Sequence, residues 1–148
     1  MLEQLDQLTA LLAPELTAAG LPALSFAFGT EKELNILADH QGDYALLFHE
    51  GYTSGGITRI GNGSLRYDYA LSLLILYPSS LSDGPDNKQQ TLAILAALMQ
   101  KVFLRLDGMG VVQGARFTSN LLFNLTDRNY DAVRLSLTLT PPTIGVCL

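Results

Sequence analysis

The 148-residue chain is poor in charge, in cysteine and in long apolar segments. Charged residues make up 16% of it, against about 25% in ordinary soluble domains, so we expect some apolar surface to be buried against partners. Cys147 is the single cysteine and cannot form an internal disulfide, which is compatible with a reducing compartment. No apolar run reaches the roughly 18 residues of a membrane-spanning helix. Glu3 and Asp6 lie where a signal peptide would be basic, so we predict neither a signal peptide nor membrane insertion.

The charges that are present are unevenly distributed. Residues 1–58 hold eight acids and one base, a net charge of −7, whereas residues 59–148 hold six acids and eight bases, a net charge of +2. An acidic chain is a poor direct binder of nucleic acid, so we expect no sequence-specific binding. Two interpretations remain: scattered solvated charge, or an acidic part of one copy that faces a less acidic part of another.

The organising stretch of the sequence is a long strand followed by a long helix. Residues 65–77 place apolar and aromatic side chains on one face by strict alternation, and the other face changes from polar to apolar toward Tyr77. Such a strand spans roughly 44 Å, about the diameter of the whole domain. We therefore expect the strand to bend or to project beyond the core.

The helix is predicted over residues 86–106. Its apolar side chains recur at helical spacing and form one stripe that faces a core. The stripe consists of Leu92, Leu95, Leu98, Met99, Val102, Phe103 and Leu106. Pro85 suits the first turn, Asp83 or Asp86 is expected to cap it, and Gly108 is expected to end it.

Before this pair, the sequence predicts a leucine-rich helix over residues 1–19, which Pro14 should kink or end near Ala13. Short strands are predicted at 24–28, 34–38 and 44–49. Five glycines within residues 51–63 indicate a mobile loop or a wide bend. Asn62-Gly63 is a hairpin signal that should fold residues 57–60 back on 65–69.

After the long helix, a second hairpin is predicted. Its strands are residues 111–125 and 130–140, with a turn at 126–129. The last strand alternates cleanly, with Val133, Leu135, Leu137 and Leu139 directed inward. The whole chain is thus predicted to be one α+β domain: a single mixed, mostly antiparallel sheet with long hairpins, and two helices packed on one face. Residues 141–148 form an apolar C-terminal tail.

Residue patterns for catalysis or metal binding are weak. His40 follows Asp39 and His49 precedes Glu50, but neither pair has the clustered spacing of metal ligands or of an acid–base site. We expect both histidines at the surface, and their replacement by alanine to leave the fold unchanged. The prediction is a protein that is not an enzyme and that has no cofactor, no metal site and no catalytic residue.

The order of elements resembles the small tail-terminator and neck proteins of tailed bacteriophages and prophages. The resemblance is carried by the N-terminal helix, the Arg66-Tyr67-Asp68-Tyr69 strand that continues into residues 73–77, the helix to Leu106, and the closing strand over 131–139. It implies a virion structural protein that forms a homo-oligomeric ring and caps or joins the tail tube. The implied partners are tail-tube or head-connector proteins, in the bacterial cytoplasm during assembly and then in the virion.

Particular residues follow from this hypothesis. The candidate oligomer interface consists of Arg66, Tyr67, Asp68, Tyr69, Ile144 and Val146. If DNA passes through the ring, an acidic wall would repel its phosphates, and the candidates for that wall are Glu31, Glu33, Asp39 and Asp43. The alternative is a different non-enzymatic assembly or ligand-binding module, such as a subunit of a secretion or conjugation apparatus.

Overall fold

The structure is a computed structural model. It describes residues 2–30, 32–34, 44–61, 63–80, 83–110, 112, 119–122 and 130–139. In chain order the elements are α1 (Leu2–Ala18), β1 (Leu24–Phe28), β2 (Ala45–Ile60), β3 (Ser64–Pro78), α2 (Pro85–Gly108), β4 (Ser119–Leu122) and β5 (Tyr130–Leu139).

The strands form one five-stranded sheet in the order β1-β2-β3-β5-β4. β1 is parallel to β2, and every other neighbouring pair is antiparallel. The prediction of an α+β fold with one mixed, mostly antiparallel sheet is therefore confirmed. β3 lies at the centre of the sheet.

The main core lies on one face of the sheet. Alternate strand residues point to this face, and both helices contribute their apolar stripes to the same cluster, so both pack on that side. The cluster is Leu5, Leu8, Leu12, Leu16, Leu24, Ala45, Leu47, Leu71, Leu73, Ile75, Leu95, Leu98, Val102, Leu106, Val133, Leu135, Leu137 and Leu139. We refer to this face as the helix side.

A smaller cluster covers part of the opposite face. It contains Leu34, Leu46, Phe48, Leu74, Leu76, Tyr130 and Ala132. Leu34 reaches it from the link between β1 and β2, where Thr30 and Glu33 form a reciprocal capping box: Thr30 N–H donates to Glu33 Oε2 at 2.6 Å, and Glu33 N–H donates to Thr30 Oγ1 at 3.4 Å. The sheet is thus covered on both sides toward Tyr77, as the pattern of residues 65–77 predicted.

Pro14 does not end α1, and the prediction of an end near Ala13 is wrong. The helix continues to Ala18 because its last turn carries Leu16, which is buried in the same cluster as Leu5, Leu8 and Leu12. Packing of this side chain compensates for the hydrogen bond that proline removes.

The ends of α2 also differ from the prediction. The helix begins at Pro85 with Gly84 as its N-cap and no side-chain capping bond. Asp83 does not cap α2 because its carboxylate accepts the Ser80 N–H at 2.7 Å. Asp86 lies inside the first turn, where a negative charge favours the helix dipole. The helix does end at Gly108.

The glycine-rich segment is a strand, which corrects the prediction of a loop over 51–63. β2 continues to Ile60, with a register shift between His49 and Thr53, and Ile60 pairs with Ser64 at the start of β3. A partner as long as β3 is required to satisfy the hydrogen bonds of that strand, and β2 supplies it. The predicted strand at 34–38 is also wrong at its start, because Leu34 lies in a helical turn; residues 35–38 lie outside the described residues.

The C-terminal strand is confirmed. β5 buries Val133, Leu135, Leu137 and Leu139 as predicted. Of the predicted strand 111–125, the described part is β4 together with Val112, which forms an isolated bridge to Leu139. The predicted turn at 126–129 and the tail at 141–148 lie outside the described residues.

Candidate functional site

The most distinctive feature of the surface is a two-stranded arm, which we define as residues 57–67. Its strands pair as Ile57↔Tyr67, Thr58↔Arg66, Arg59↔Leu65 and Ile60↔Ser64, and among the described residues β5 pairs with β3 from Tyr69 onward. The connecting turn has Gly63 at φ 84°, a left-handed conformation that glycine adopts without a steric cost. The hairpin predicted at Asn62-Gly63 is therefore confirmed in its pairing, and the arm extends about 14 Å beyond the sheet.

The arm presents apolar side chains to solvent. Ile57 is 67% exposed, Tyr67 43%, Ile60 42% and Leu65 41%. β3 runs without a break into the core, so Leu65 and Tyr67 share the helix side of the sheet with Leu71 and Leu73. On the arm this face continues past the last core residue without a described helix above it. Such a patch on an otherwise folded surface indicates an interaction site.

Four of the predicted interface residues belong to this region. Tyr67 lies in the arm with its ring exposed, and Tyr69 at the base of the arm is half-buried. Arg66 Nη2 forms an ion pair with Asp68 Oδ2 at 3.3 Å, on the face opposite to the helix side. Arg66 is therefore balanced by Asp68, whereas Arg59 has no acid beside it among residues 57–67. The tip of the arm is therefore cationic in a chain whose net charge is −5.

The base of the arm depends on a close backbone approach at Gly55. A Cβ built on Gly55 would lie 2.3 Å from the carbonyl oxygen of Asp68, whereas a Cβ on Gly56 would meet nothing within 4 Å. We expect Gly55→Ala to force the two strands apart and to lower the free energy of unfolding by about 1–3 kcal/mol. Gly56→Ala is the matched control and should change it by less than about 0.5 kcal/mol.

Urea unfolding followed by circular dichroism measures both variants, and equal midpoints would show that the strands do not approach closely at Gly55.

A polar cluster on the opposite face joins the three central strands. Glu50 Oε1 accepts from Arg134 Nη2 at 3.0 Å, and Glu50 Oε2 accepts from the Ser72 hydroxyl. Beside it lies a shallow depression of about 270 Å³ lined mainly by small side chains, among them Ser54, Ala70 and Ser136. The depression is open and both Glu50 oxygens are engaged, so the cluster is suited to holding β2, β3 and β5 together.

A second depression lies between the two helices. It has a volume of about 410 Å³ and exposes Leu11, Leu104 and Met109. Glu15 borders it and lies 3.9 Å from Lys101 Nζ and 3.6 Å from Arg105 Nη1. The lining of this groove combines these apolar side chains with one acid and two bases, a net charge of +1.

His49 is buried, and the prediction that it lies at the surface is wrong. Its side chain is 4% exposed. His49 follows Ala45 and Leu47 by alternation and is opposite Leu73, so it lies on the helix side. Desolvation lowers the pKa of His49, an effect opposed by the negative charge of Glu50 and by a backbone hydrogen bond.

This lowered pKa predicts that stability falls as the solution becomes acidic. Above the ordinary histidine pKa of about 6.5, His49 is neutral in both the folded and the unfolded chain. Below it, the unfolded chain binds the proton first, so the free energy of unfolding decreases until the pH reaches the lowered pKa of the folded state. His49→Gln should reduce the difference in urea midpoint between pH 7.5 and pH 5.5, whereas His40→Gln, as the control, should retain it. Equal pH dependence in the wild type and His49→Gln would contradict the buried, neutral histidine.

The remaining candidates are only partly placed. Glu33 is exposed. The pKa of the Glu33 carboxyl is lowered mainly by a hydrogen bond from the backbone N–H of Thr30 and to a smaller extent by one with the Thr30 side chain. Glu31, Asp39, His40, Asp43, Ile144 and Val146 lie outside the described residues. The acidic wall and the contribution of the tail therefore stay predictions.

Within the part of the chain that the structure describes, no group of three or more metal-ligating side chains comes together. Among the same residues, no helix has the length and apolarity needed to cross a membrane.

Comparison with known proteins identifies no relative: no family model matches the chain, and no curated protein is significantly similar to it. The resemblance to tail-terminator and neck proteins thus rests on the order of the elements and enters only the proposal that follows.

Proposed function

We propose that the chain is a structural subunit that assembles with copies of itself into a closed ring, and that this ring caps or joins the tail tube of a tailed phage or prophage. The observation that supports the proposal is the arm. Its apolar face continues the face that forms the core, and its exposed Ile57, Leu65 and Tyr67 have no described side chain of the same copy to cover them. Burying such a patch against another subunit removes apolar surface from water.

The low charge content supports the same role. Only 16% of the residues are charged, and the exposed Leu11, Leu104, Phe28 and Met109 add further apolar surface away from the arm. A subunit with neighbours on more than one side uses several such surfaces. The function requires no cofactor and no catalytic centre, and its partners are other copies together with tail-tube or head-connector proteins. Assembly takes place in the bacterial cytoplasm, and the finished ring remains in the virion.

The acidic segment that links β1 to β2 has one of two places in such a ring. Its carboxylates either line a channel through which DNA passes without adhering, or face the cationic arm of the neighbouring copy. The first is the wall of Glu31, Glu33, Asp39 and Asp43, and the second is developed below.

Electron microscopy of tailed particles from the bacterium that encodes the chain tests the function. A gold-labelled antibody raised against the purified chain should mark one end of the tail tube. Label along the whole tube, or particles without label in which mass spectrometry finds no peptide of the chain, would contradict the proposal. Label on an apparatus of the cell envelope would favour a secretion or conjugation subunit instead.

A further inference from the structure

We infer that the arm of one copy adds to the outer edge of β1 in the next copy, so that the sheet continues from subunit to subunit. The inference rests on the proposed homo-oligomer and identifies the two surfaces that meet in it. The contact is between different parts of the two copies, which is the kind of contact that closes into a ring.

β1 offers a strand edge that no described strand covers. Ala45 N–H donates to Ala23 O at 3.2 Å, and Gly29 N–H donates to His49 O at 3.0 Å, so these backbone groups face β2. Successive residues of a strand direct their backbone groups to opposite edges, which leaves those of Leu24, Phe26 and Phe28 on the outer edge. An added strand would satisfy these donors and acceptors by β-augmentation.

The side chains on this edge match those of the arm. Leu24 belongs to the main core cluster and Phe26 packs against it, so the even-numbered residues of β1 lie on the helix side. Phe28 continues this row at the end of the strand, where it is 56% exposed and stacks on Phe26 with the ring centroids 6.5 Å apart. An arm that extends the sheet here, with Leu65 and Tyr67 on the same side, buries apolar groups on both partners in neighbouring cross-strand positions.

Charge favours this edge over the groove between the helices. The link that follows β1, residues 29–44, contains four acids and one lysine, a net charge of −3. The arm carries Arg59 near its turn, and its second arginine, Arg66, is already paired with Asp68. The groove has Lys101 and Arg105 beside Glu15, a net charge of +1, so it offers no net attraction to Arg59. Two arms also repel each other, which disfavours pairing of like with like.

Cross-linking of mixed variants tests this assignment. The full chain with Cys147→Ser is the background, and Phe28→Cys and Tyr67→Cys are made in it separately, both at exposed positions. After mixing and treatment with a short bismaleimide, covalent dimers should exceed those from either variant alone by about tenfold or more, because a head-to-tail contact brings unlike surfaces together. Leu104→Cys, at a position 53% exposed in the groove, is the control partner and should give no such excess with Tyr67→Cys.

A charge reversal gives an independent readout. Arg59→Glu should raise the protein concentration at which half of the chains are assembled by about tenfold. Lys101→Glu should change this concentration by less than about twofold. Excess dimers of Tyr67→Cys with itself or with Leu104→Cys would overturn the inference, as would equal effects of the two charge reversals.

Sedimentation of the Cys147→Ser background separates the two proposals. If the background forms an oligomer but Phe28→Cys and Tyr67→Cys do not cross-link, only the assignment of the arm and the β1 edge as the contacting surfaces is overturned. A monomer at every concentration overturns the assignment and the proposed assembly together.

Discussion

Leu95→Asp should unfold the protein. Leu95 is 0% exposed and lies in the middle of α2, in the cluster that also holds Leu8, Leu73 and Leu135. The substitution removes a buried apolar side chain, at a cost of about 2–5 kcal/mol, and places a carboxylate without a cation in the core, which adds several more. The sum is comparable to the whole stability of a typical domain, about 5–15 kcal/mol.

The control for this prediction lies on the same helix. Leu104 is 53% exposed. Leu104→Asp makes the same change in charge and in helix propensity as Leu95→Asp, but at the surface. The urea midpoint of Leu104→Asp should show that the free energy of unfolding falls by less than about 1 kcal/mol relative to the wild type. A Leu95→Asp variant that remains soluble, with a native far-ultraviolet spectrum and an unchanged midpoint, would show that α2 does not pack on the sheet through this stripe.

Lys88→Met should cost about 3–5 kcal/mol, because it leaves a buried carboxylate without its cation. Lys88 Nζ lies 2.9 Å from Asp131 Oδ2, and the Asp131 side chain is 0% exposed while that of Lys88 is 23% exposed. The pair joins the first turn of α2 to the beginning of β5, through two residues that are 43 positions apart in the chain.

Two further variants test whether the loss comes from breaking the ion pair. The double variant Lys88→Met with Asp131→Leu replaces both charges by apolar groups and should recover most of the lost stability. Lys101→Met makes the same change in the same helix at an exposed pair, 3.9 Å from Glu15, and should cost less than about 1 kcal/mol. If Lys88→Met were no more destabilising than Lys101→Met, the buried pair would not hold α2 to the sheet.

Much of the architecture could be predicted because its patterns are long and regular. The alternation over residues 65–77 and 130–139 identified the two central strands and their inward residues, and the spacing of Leu95, Val102 and Leu106 identified the core face of α2. The same alternation places Asp131 on the inward face together with Val133 and Leu135. The sequence therefore indicates that Asp131 is buried and needs a cation. It does not identify Lys88 as that cation, because the tertiary fold brings the two residues together.

The errors arose where local signals compete with tertiary packing. Pro14 disfavours a helix locally, but burial of Leu16 maintains α1 beyond it. The glycines of residues 51–63 suggested a loop, yet a long β3 that follows a tight Asn-Gly turn requires a partner of equal length. Gly55 is a glycine because the two strands approach closely there. His49 ends the predicted strand 44–49, and a strand end favours a surface position, whereas β2 continues to Ile60 and its alternation directs His49 to the helix side.

The arm is the part of the molecule from which the functional proposal follows. Its hairpin turn and its residues are visible in the sequence, but its projection past the described part of β5 is not, because this depends on the register that places Leu139 opposite Tyr69. Tyr67 lies before this paired stretch and is exposed, whereas Leu71, Leu73 and Ile75 lie within it and are buried.

Native mass measurement of the full chain over a range of protein concentrations and salt levels tests the central claim, that the chain builds a closed assembly of itself. A ring has a fixed copy number, so we expect one dominant species at an integral multiple of 16.0 kDa, whose mass does not grow with concentration. Added salt should shift the equilibrium toward the single chain, because it screens the attraction between the cationic arm and the acidic segment of the next copy. A single species of 16.0 kDa under all conditions would contradict the claim.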